Sequence, residues 1–211
     1  MKKLLLILLC LPIITLAQQT YVPDDNFEAY LENNGMGNGI PNDDYVFTAA
    51  IDTVAYLDLS NKNISDLTGI EAFDSLLTLF CYSNQFSDLN LSNNLALFEL
   101  DCSFNFQLDN LNVKNGNNHN FNWFDATENQ NLSCIEVDDS TWSANNWTVT
   151  NGNIDLQHYF SNNCSGTTSI EEYSTNKKLL QTIDVLGRET KNKPLFYIYD
   201  DGTVEKRIVI E

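Results

Sequence analysis

Two histidines and several pairs of adjacent aspartates are the residues of this chain that could do chemistry. His119 and His158 could act as bases or metal ligands, but neither lies in a metal-ligand or catalytic-triad spacing. The aspartate pairs could serve glycoside hydrolysis or calcium binding, yet their loops lack the ordered spacing that either needs. The pairs are Asp24-Asp25, Asp43-Asp44, Asp138-Asp139 and Asp200-Asp201. We therefore expect both histidines and these carboxylates to be solvated, with no catalytic residue, no metal and no cofactor.

The charge of the chain excludes whole classes of partner. Its 211 residues carry 11 basic and 29 acidic side chains, a formal net charge of -18. Such a chain repels the phosphates of nucleic acids and anionic lipids, so we expect no nucleic-acid partner. The chain also contains 29 asparagines. Asparagine amides bond the backbone of turns, so this bias predicts many similar turns.

Residues 1–17 have the organisation of a secretory signal peptide. A basic start, Met1-Lys2-Lys3, precedes an apolar run, and Thr15-Leu16-Ala17 offers a cleavage site. The run is shorter than the roughly 20 apolar residues that cross a bilayer, which disfavours a membrane anchor. We expect a secreted mature chain that begins near Gln18, has no membrane span and meets an oxidising compartment.

The balance of acidic and basic residues in the mature chain changes near Ser165. From residue 18 to 164 only Lys62 and Lys114 are basic, against 21 acidic residues, whereas residues 165–211 carry seven basic and eight acidic residues. Such different compositions predict two separate units. The short, small and polar segment 165–168 is expected to be the linker between them.

The larger unit contains an internal repeat, whose starts lie 22, 21 and 24 residues apart. Four segments place apolar residues at positions one, four and six, and three of them add asparagine at position nine. They are Val54-x-x-Leu57-x-Leu59, Leu76-x-x-Leu79-x-Cys81-x-x-Asn84, Leu97-x-x-Leu100-x-Cys102-x-x-Asn105 and Phe121-x-x-Phe124-x-Ala126-x-x-Asn129. A second apolar set follows each asparagine at similar offsets. The alternation predicts short strands with one buried face.

This pattern resembles the bacterial leucine-rich repeat family over roughly residues 54–137. The first segment departs from it because Lys62 stands where the asparagine belongs, so it is expected to be a terminal coil. The resemblance implies a repeat solenoid, a stack of short coils with parallel strands, in which no coil buries its apolar face alone. Asn84, Asn105 and Asn129 are expected to turn the chain and to bond backbone groups that the bend leaves unpaired.

A stack of coils needs covered ends, and the flanking segments can supply them. Residues 18–53 include an amphipathic, helix-like stretch with acidic residues in its first turn. This N-terminal helical cap is expected to cover the first coil with Phe27, Tyr30 and Leu31. Residues 138–164 are expected to form a C-terminal cap over the last coil. Its covering side chains are predicted to be Trp142, Trp147, Ile154, Leu156, Tyr159 and Phe160.

Four cysteines follow the signal peptide. Cys81 and Cys102 occupy the same inward position on neighbouring coils, which favours free, buried thiols over a bridge between them. Cys134 begins the last predicted strand and Cys164 ends the repeat unit, so we predict a disulfide that staples the C-terminal cap to the stack. A bridge closing a loop of this length stabilises a fold by ~3 kcal/mol.

Residues 169–211 have the pattern of a small β-sheet, with turns at Gly187 and at Asp200-Asp201-Gly202. Their order and placement resemble the short form of the carboxy-terminal sorting domain of the type IX secretion system of Bacteroidetes. The matching residues include Asp184, Leu186, Gly187, Arg188, Gly202, Lys206 and Arg207. The resemblance implies type IX secretion machinery as a partner, removal of the tail, and a product that is released or held on the outer-membrane surface. The alternative is a small structural domain.

The alternation within each coil also defines a candidate binding face. If positions one, four and six point inward, positions three, five, seven and eight face outward. Those positions carry an aromatic and acidic set: Tyr56, Asp58, Phe80, Tyr82, Glu99, Asp101, Phe104, Trp123 and Asp125. Exposed rings favour a contact surface, although a loop or a self-contact could also cover them. We therefore expect a non-enzymatic module for an unidentified protein or glycan. The alternatives are a small secreted hydrolase of glycans or peptides and a structural spacer.

Overall fold

The structure is a computed structural model that describes residues 18–164, 179–183, 196–199 and 204–206. Contacts divide the chain into two compact units, Met1–Cys164 and Ser165–Glu211. Within the described residues 18–164, the first unit contains short strands, three α-helices and two 3-10 helices at Ile70–Ala72 and Asn118–Asn120. In chain order its strands and α-helices are β1 (Gln19–Tyr21), α1 (Asp25–Asn33), β2 (Tyr45–Phe47), α2 (Thr48–Ile51), β3 (Tyr56–Asp58), β4 (Thr78–Phe80), β5 (Asp88–Asn90), β6 (Glu99–Asp101), β7 (Asn110–Asn112), β8 (Trp123–Asp125), β9 (Cys134–Glu136), α3 (Ser140–Asn146) and β10 (Tyr159–Ser161).

A four-stranded parallel sheet, here called the first sheet, has the strand order β3-β4-β6-β8. Position four of each predicted repeat lies at the centre of its strand, and the four central residues pair in register: Leu57 with Leu79, Leu79 with Leu100, and Leu100 with Phe124. All four side chains are buried in one core. The burial follows the predicted alternation, because every second side chain of a strand points to the same face.

The second apolar set of each repeat forms a second parallel sheet, in the order β10-β9-β7-β5. Leu89, Leu111 and Ile135 pair in register at its centre and are buried against the same core. Parallel strands contributed by successive coils to two facing sheets fit the predicted repeat fold. The fourth strand, β10, was not predicted, since its residues were assigned to a covering segment. It pairs with β9 from Cys134 to Glu136 and so removes an exposed strand edge.

A ladder of asparagines, Asn84, Asn105 and Asn129, connects neighbouring coils at the bend after the first sheet. Asn84 Nδ2 donates to the carbonyls of Leu59 and Cys81 at 2.8 and 3.0 Å. The backbone N–H of Asn84 donates to Oδ1 of Asn105, and that of Asn105 donates to Oδ1 of Asn129, both at 2.8 Å. Each amide thus bonds its own coil and the preceding one, and the predicted role of these asparagines is confirmed.

The residue at repeat position eight, just before position nine, takes a left-handed backbone conformation in each of the four coils. Asn61, Ser83, Phe104 and Glu128 have φ between 56° and 59°, although none of them is glycine. Such a conformation is strained for residues with a Cβ, so it persists only where the surroundings over-determine it. Here the ladder hydrogen bonds supply that constraint, and the same sharp bend recurs in every coil.

The N-terminal segment packs helix α1 against the first coil. Phe27 and Leu31 are fully buried, and Phe27 stacks on Phe73 with ring centroids 6.3 Å apart. Tyr30 is half-buried against the same core. The helix begins after Asp24, whose carboxylate accepts from the backbone N–H groups of Asn26 and Phe27 at 3.0 and 2.9 Å. The predicted helix is therefore present, and Phe27, Tyr30 and Leu31 pack against the core.

The C-terminal segment covers the last coil mainly with Trp147. This side chain is 4% exposed and stacks on Phe124 with ring centroids 4.1 Å apart. Ile154 is also buried, but Leu156 and Tyr159 are 89% and 57% exposed, so the expectation that they cover the coil is wrong. Leu156 lies in a turn, and Tyr159 lies on the strand face opposite to its neighbour Phe160.

The cysteines are as predicted. A disulfide joins Cys134 of β9 to Cys164, across a sequence separation of 30 residues. Cys81 and Cys102 are free and fully buried at the same repeat position. Burial raises the pKa of both thiols well above the ordinary value, and the negative charge of Asp101 adds to the effect. Both therefore stay protonated and apolar at neutral pH.

The described residues of the second unit form a three-stranded antiparallel sheet. Its strands are β11 (Leu179–Ile183), β12 (Phe196–Tyr199) and β13 (Val204–Lys206), in that order. Of the predicted sorting residues only Lys206 is described, at the end of β13. The others, Asp184, Leu186, Gly187, Arg188, Gly202 and Arg207, lie outside the described residues, as do the signal peptide at 1–17 and the linker at 165–168. Among the residues that are described, no helix has the length and apolar character needed to cross a membrane.

Candidate binding face

The outward side chains of the first sheet form the candidate binding face, which we define by repeat positions three, five, seven and eight. Position three aligns Tyr56, Thr78, Glu99 and Trp123, and position five aligns Asp58, Phe80, Asp101 and Asp125. Of the predicted face residues, Tyr56, Trp123 and Phe104 are 58%, 56% and 45% exposed. The others are half-buried: Asp58, Phe80, Tyr82, Glu99, Asp101 and Asp125.

The aromatic side chains of the face fall into separate groups. Tyr56 meets Phe80 edge to face, with ring centroids 5.8 Å apart. Phe104 instead pairs with Phe106, also exposed, at 6.4 Å. Trp123 lies at the far end of the sheet, three strands from Tyr56. The face therefore presents rings at both ends and along the rim where position eight lies.

The three aspartates at position five have a structural role that the sequence reasoning missed. Each accepts a hydrogen bond from the backbone N–H two residues later, at 2.9 to 3.0 Å: Asp58 from Ser60, Asp101 from Ser103 and Asp125 from Thr127. The hydroxyls of Ser103 and Thr127 donate to the same oxygens. The recurring Asp-x-Ser/Thr spacing was the available signal, since short polar side chains commonly bond backbone two residues on.

Asp101, on the inner strand β6, is half-buried. Burial raises its pKa above the ordinary range, and the charge of Asp125 on the next strand raises it further, while hydrogen bonds from Ser103 oppose both effects. Glu99 on the same strand accepts from Thr78 Oγ1 at 3.0 Å and from Asn122 Nδ2 at 2.9 Å. These carboxylates are held in place before any ligand arrives.

The sequence did not predict a cleft that lies beside the candidate binding face. It lies between β8 and α3, has a volume of 360 Å³, and shares Asn122 and Trp123 with a shallower hollow of 320 Å³ on the first sheet. Phe80, Glu99 and Asp101 line the rest of that hollow. The cleft joins residues about 20 to 30 positions apart in sequence, so no local spacing in the chain could indicate it.

His158 does not have the solvated position that we expected, whereas His119 is exposed. His158 is 7% exposed, and its Nδ1 accepts from the backbone N–H of Asp155 at 3.2 Å. Its Nε2 lies 3.3 Å from the carbonyl oxygen of Asn129, so the ring extends the contacts of the asparagine ladder. The expectation was wrong because a histidine can be buried when both ring nitrogens find partners.

Two acidic residues of the N-terminal segment also have structural roles. Asp24 was expected to be solvated, but it is 7% exposed and its second oxygen accepts from the backbone and hydroxyl of Ser65, both at 2.8 Å. Glu28 is 1% exposed and accepts from the backbone N–H groups of Asp43 and Asp44. Asp25, Glu28 and Asp44 each bring one carboxylate oxygen within 4.8 Å of the others. Because Glu28 already accepts backbone bonds with both oxygens, we interpret this group as a loop anchor.

Similarity to known proteins is found among solved structures. No protein-family model matches the chain, and no curated protein matches it. Among solved structures, the chain is similar to the functional domain of InlJ from Listeria monocytogenes, described as including a cysteine ladder. The identity is 24%, the match covers 57% of this chain and 33% of that chain, and the TM-score is 0.37. The chain thus spans about a third of the InlJ domain, and the case for its function depends on its own residues.

Proposed function

We propose that the chain is a secreted or cell-surface leucine-rich repeat module that binds a protein or glycan ligand through its first sheet. The observation that carries this proposal is the pair Tyr56 and Trp123, at one repeat position on the two outer strands and each more than half exposed. Large rings left in water on a rigid sheet are typical of contact surfaces. In this interpretation, the segments at 18–53 and 138–164 cap the two ends of the solenoid.

The charge of the face narrows the chemistry of the ligand. Glu99 and Asp101 on β6 and Asp125 on β8 lie on adjacent strands, and residues 18–164 carry 21 acidic side chains against two lysines. A ligand with apolar or sugar-ring surface and some positive charge would complement this arrangement. Its affinity is expected to fall as salt rises, because screening weakens attraction between exposed charges.

Replacing Tyr82 by Ala is expected to raise the dissociation constant of that ligand about 30-fold, equivalent to ~2 kcal/mol, while the melting temperature stays nearly unchanged. Tyr82 is only half-buried, so its loss removes contact area from the face without opening the core. The ligand is found by probing glycan and extracellular-protein arrays with the purified protein, and affinities are measured by calorimetry. Tyr159→Ala, which removes an exposed ring from the second sheet, is the control. Equal losses for both variants, or no ligand on either array, would contradict the proposal.

The export route is the second part of the proposal. The signal-peptide pattern at 1–17, the sorting-domain resemblance at 169–211 and the disulfide between Cys134 and Cys164 all fit a protein that leaves the reducing cytoplasm. Mass spectrometry of fractions from a Bacteroidetes host with a type IX system is expected to find an extracellular product that begins near Gln18 and ends near Ser165. An intact product ending at Glu211 in the periplasm would overturn this route.

A further inference from the structure

The cleft between β8 and α3 has a composition that differs from the rest of this acidic molecule. Ten residues line it: Phe121, Asn122, Trp123, Phe124, Trp142, Asn146, Trp147, Asn151, Gly152 and Asn153. Five are aromatic, four are asparagines, and none of the ten carries a charge. A concave site of this size that combines aromatic rings with convergent polar groups is a candidate small-ligand site.

The aromatic rings at the floor of the cleft pack against one another. Trp147 stacks on Phe124 and contacts Phe121 at a centroid distance of 5.4 Å, while Trp142 meets it nearly perpendicularly at 5.6 Å. Trp123 is 56% exposed at the mouth, which the cleft shares with the hollow on the first sheet. Flat apolar surfaces are therefore available before binding, and little ordering is required when a ligand arrives.

The polar rim of the cleft consists of exposed amides. Asn122 Nδ2 donates to the Glu99 carboxylate, and Asn146 Nδ2 donates to the Trp142 carbonyl at 2.8 Å, so these amides have defined orientations. Asn151 Nδ2 donates to the Asn146 carbonyl at 3.4 Å. Each amide has a second N–H and a carbonyl oxygen, so the rim can both donate to and accept from a ligand. Hydroxyl groups are the ligand groups that use both capacities at once.

From this geometry we propose that the cleft is a subsite for one neutral pyranose unit of a glycan, which packs its C–H face against Trp123 and bonds its hydroxyls to the rim amides. A charged unit is disfavoured because no lining residue could compensate for its loss of water. The hollow on the other side of Trp123 has the carboxylates of Glu99 and Asp101, and it can take hydroxyls of the adjoining sugar. Oligosaccharides are therefore expected to bind more tightly than single sugars. This inference rests on the proposed binding function and narrows its ligand class.

The test is calorimetric titration of the purified protein with the neutral hexasaccharides cellohexaose, laminarihexaose, maltohexaose and mannohexaose, with hexagalacturonate as the charged counterpart. At least one neutral probe is expected to bind, and tryptophan fluorescence is expected to shift with it. Trp123→Ala is expected to weaken that binding at least 10-fold. Tyr159→Ala is the matched control, because its ring is nearly as exposed as that of Trp123, 57% against 56%, but it lies on the second sheet and outside the lining of the cleft. That control is expected to leave the affinity unchanged.

The outcomes separate this inference from the broader function. If Trp123→Ala and Tyr56→Ala weakened binding equally, the glycan would lie across the whole first sheet. The proposal that the cleft is a sugar subsite would then be wrong, and the proposed binding face would still be supported. A second outcome would also contradict only the cleft proposal: no neutral hexasaccharide binds, but a protein ligand binds with an affinity that Tyr82→Ala weakens. Binding of hexagalacturonate as tight as that of the neutral probes would refute the neutral-sugar specificity. If no ligand of either kind binds, both proposals fail.

Discussion

Replacing Asn105 by Ala is expected to lower the free energy of unfolding by about 3 kcal/mol, because a fully buried amide and its partners lose their bonds together. Asn105 Nδ2 donates to the carbonyls of Cys102 and Cys81 at 2.8 and 3.2 Å, and its Oδ1 accepts from the backbone N–H of Asn84. Alanine would leave the backbone N–H of Asn84 without an acceptor. It would also remove one of the two amide donors at each of the Cys81 and Cys102 carbonyls, which keep their bonds from Asn84 and Asn129. Urea denaturation followed by circular dichroism measures the loss.

The control for Asn105 is Asn93, which is exposed and lies outside the asparagine ladder. Asn93→Ala is expected to change the unfolding free energy by less than about 0.5 kcal/mol, as is usual for surface substitutions. If Asn105→Ala cost no more than Asn93→Ala, the ladder would be dispensable. The repeated bends would then depend on core packing alone.

Replacing Trp147 by Ala is expected to cost about 4 kcal/mol, and to lower the melting temperature by roughly 10 °C. Trp147 is 4% exposed and contacts the rings of Phe121, Phe124, Trp142 and Phe160, so its removal opens a cavity over the last coil. Scanning calorimetry measures the loss, and near-ultraviolet circular dichroism reports the loss of ring packing.

Trp123 provides the matched comparison, because it is the same residue type in a neighbouring position with 56% exposure. Trp123→Ala is expected to leave the melting temperature within about 2 °C, since surface changes rarely exceed 0.5 kcal/mol. If Trp123→Ala destabilised the protein as much as Trp147→Ala, Trp123 would be a core residue. The candidate binding face and the cleft would then lose their principal side chain.

The local pattern of the sequence was sufficient to predict the strands of the first sheet, their buried residues and the bends that follow them. Apolar residues two positions apart must share one face of a strand, so Leu57, Leu79, Leu100 and Phe124 could be assigned to the core from spacing alone. A period of 21 to 24 residues places equivalent positions of successive coils beside one another, which explains the successful prediction of the asparagine ladder. The free thiols followed from the same register, whereas the disulfide was predicted from Cys134 at the start of the last strand and Cys164 at the end of the unit.

Only the tertiary structure decided the features that depend on pairs of distant segments. His158 is buried because it meets the Asn129 carbonyl from 29 residues away, and Asp24 is buried because it reaches Ser65, 41 residues away. Strand β10 exists because β9 offers an open edge, and the cleft exists because α3 packs beside β8. Spacing within one coil determines which face of a strand is buried, whereas these contacts depend on how the chain returns after the repeats, and no local periodicity encodes that path.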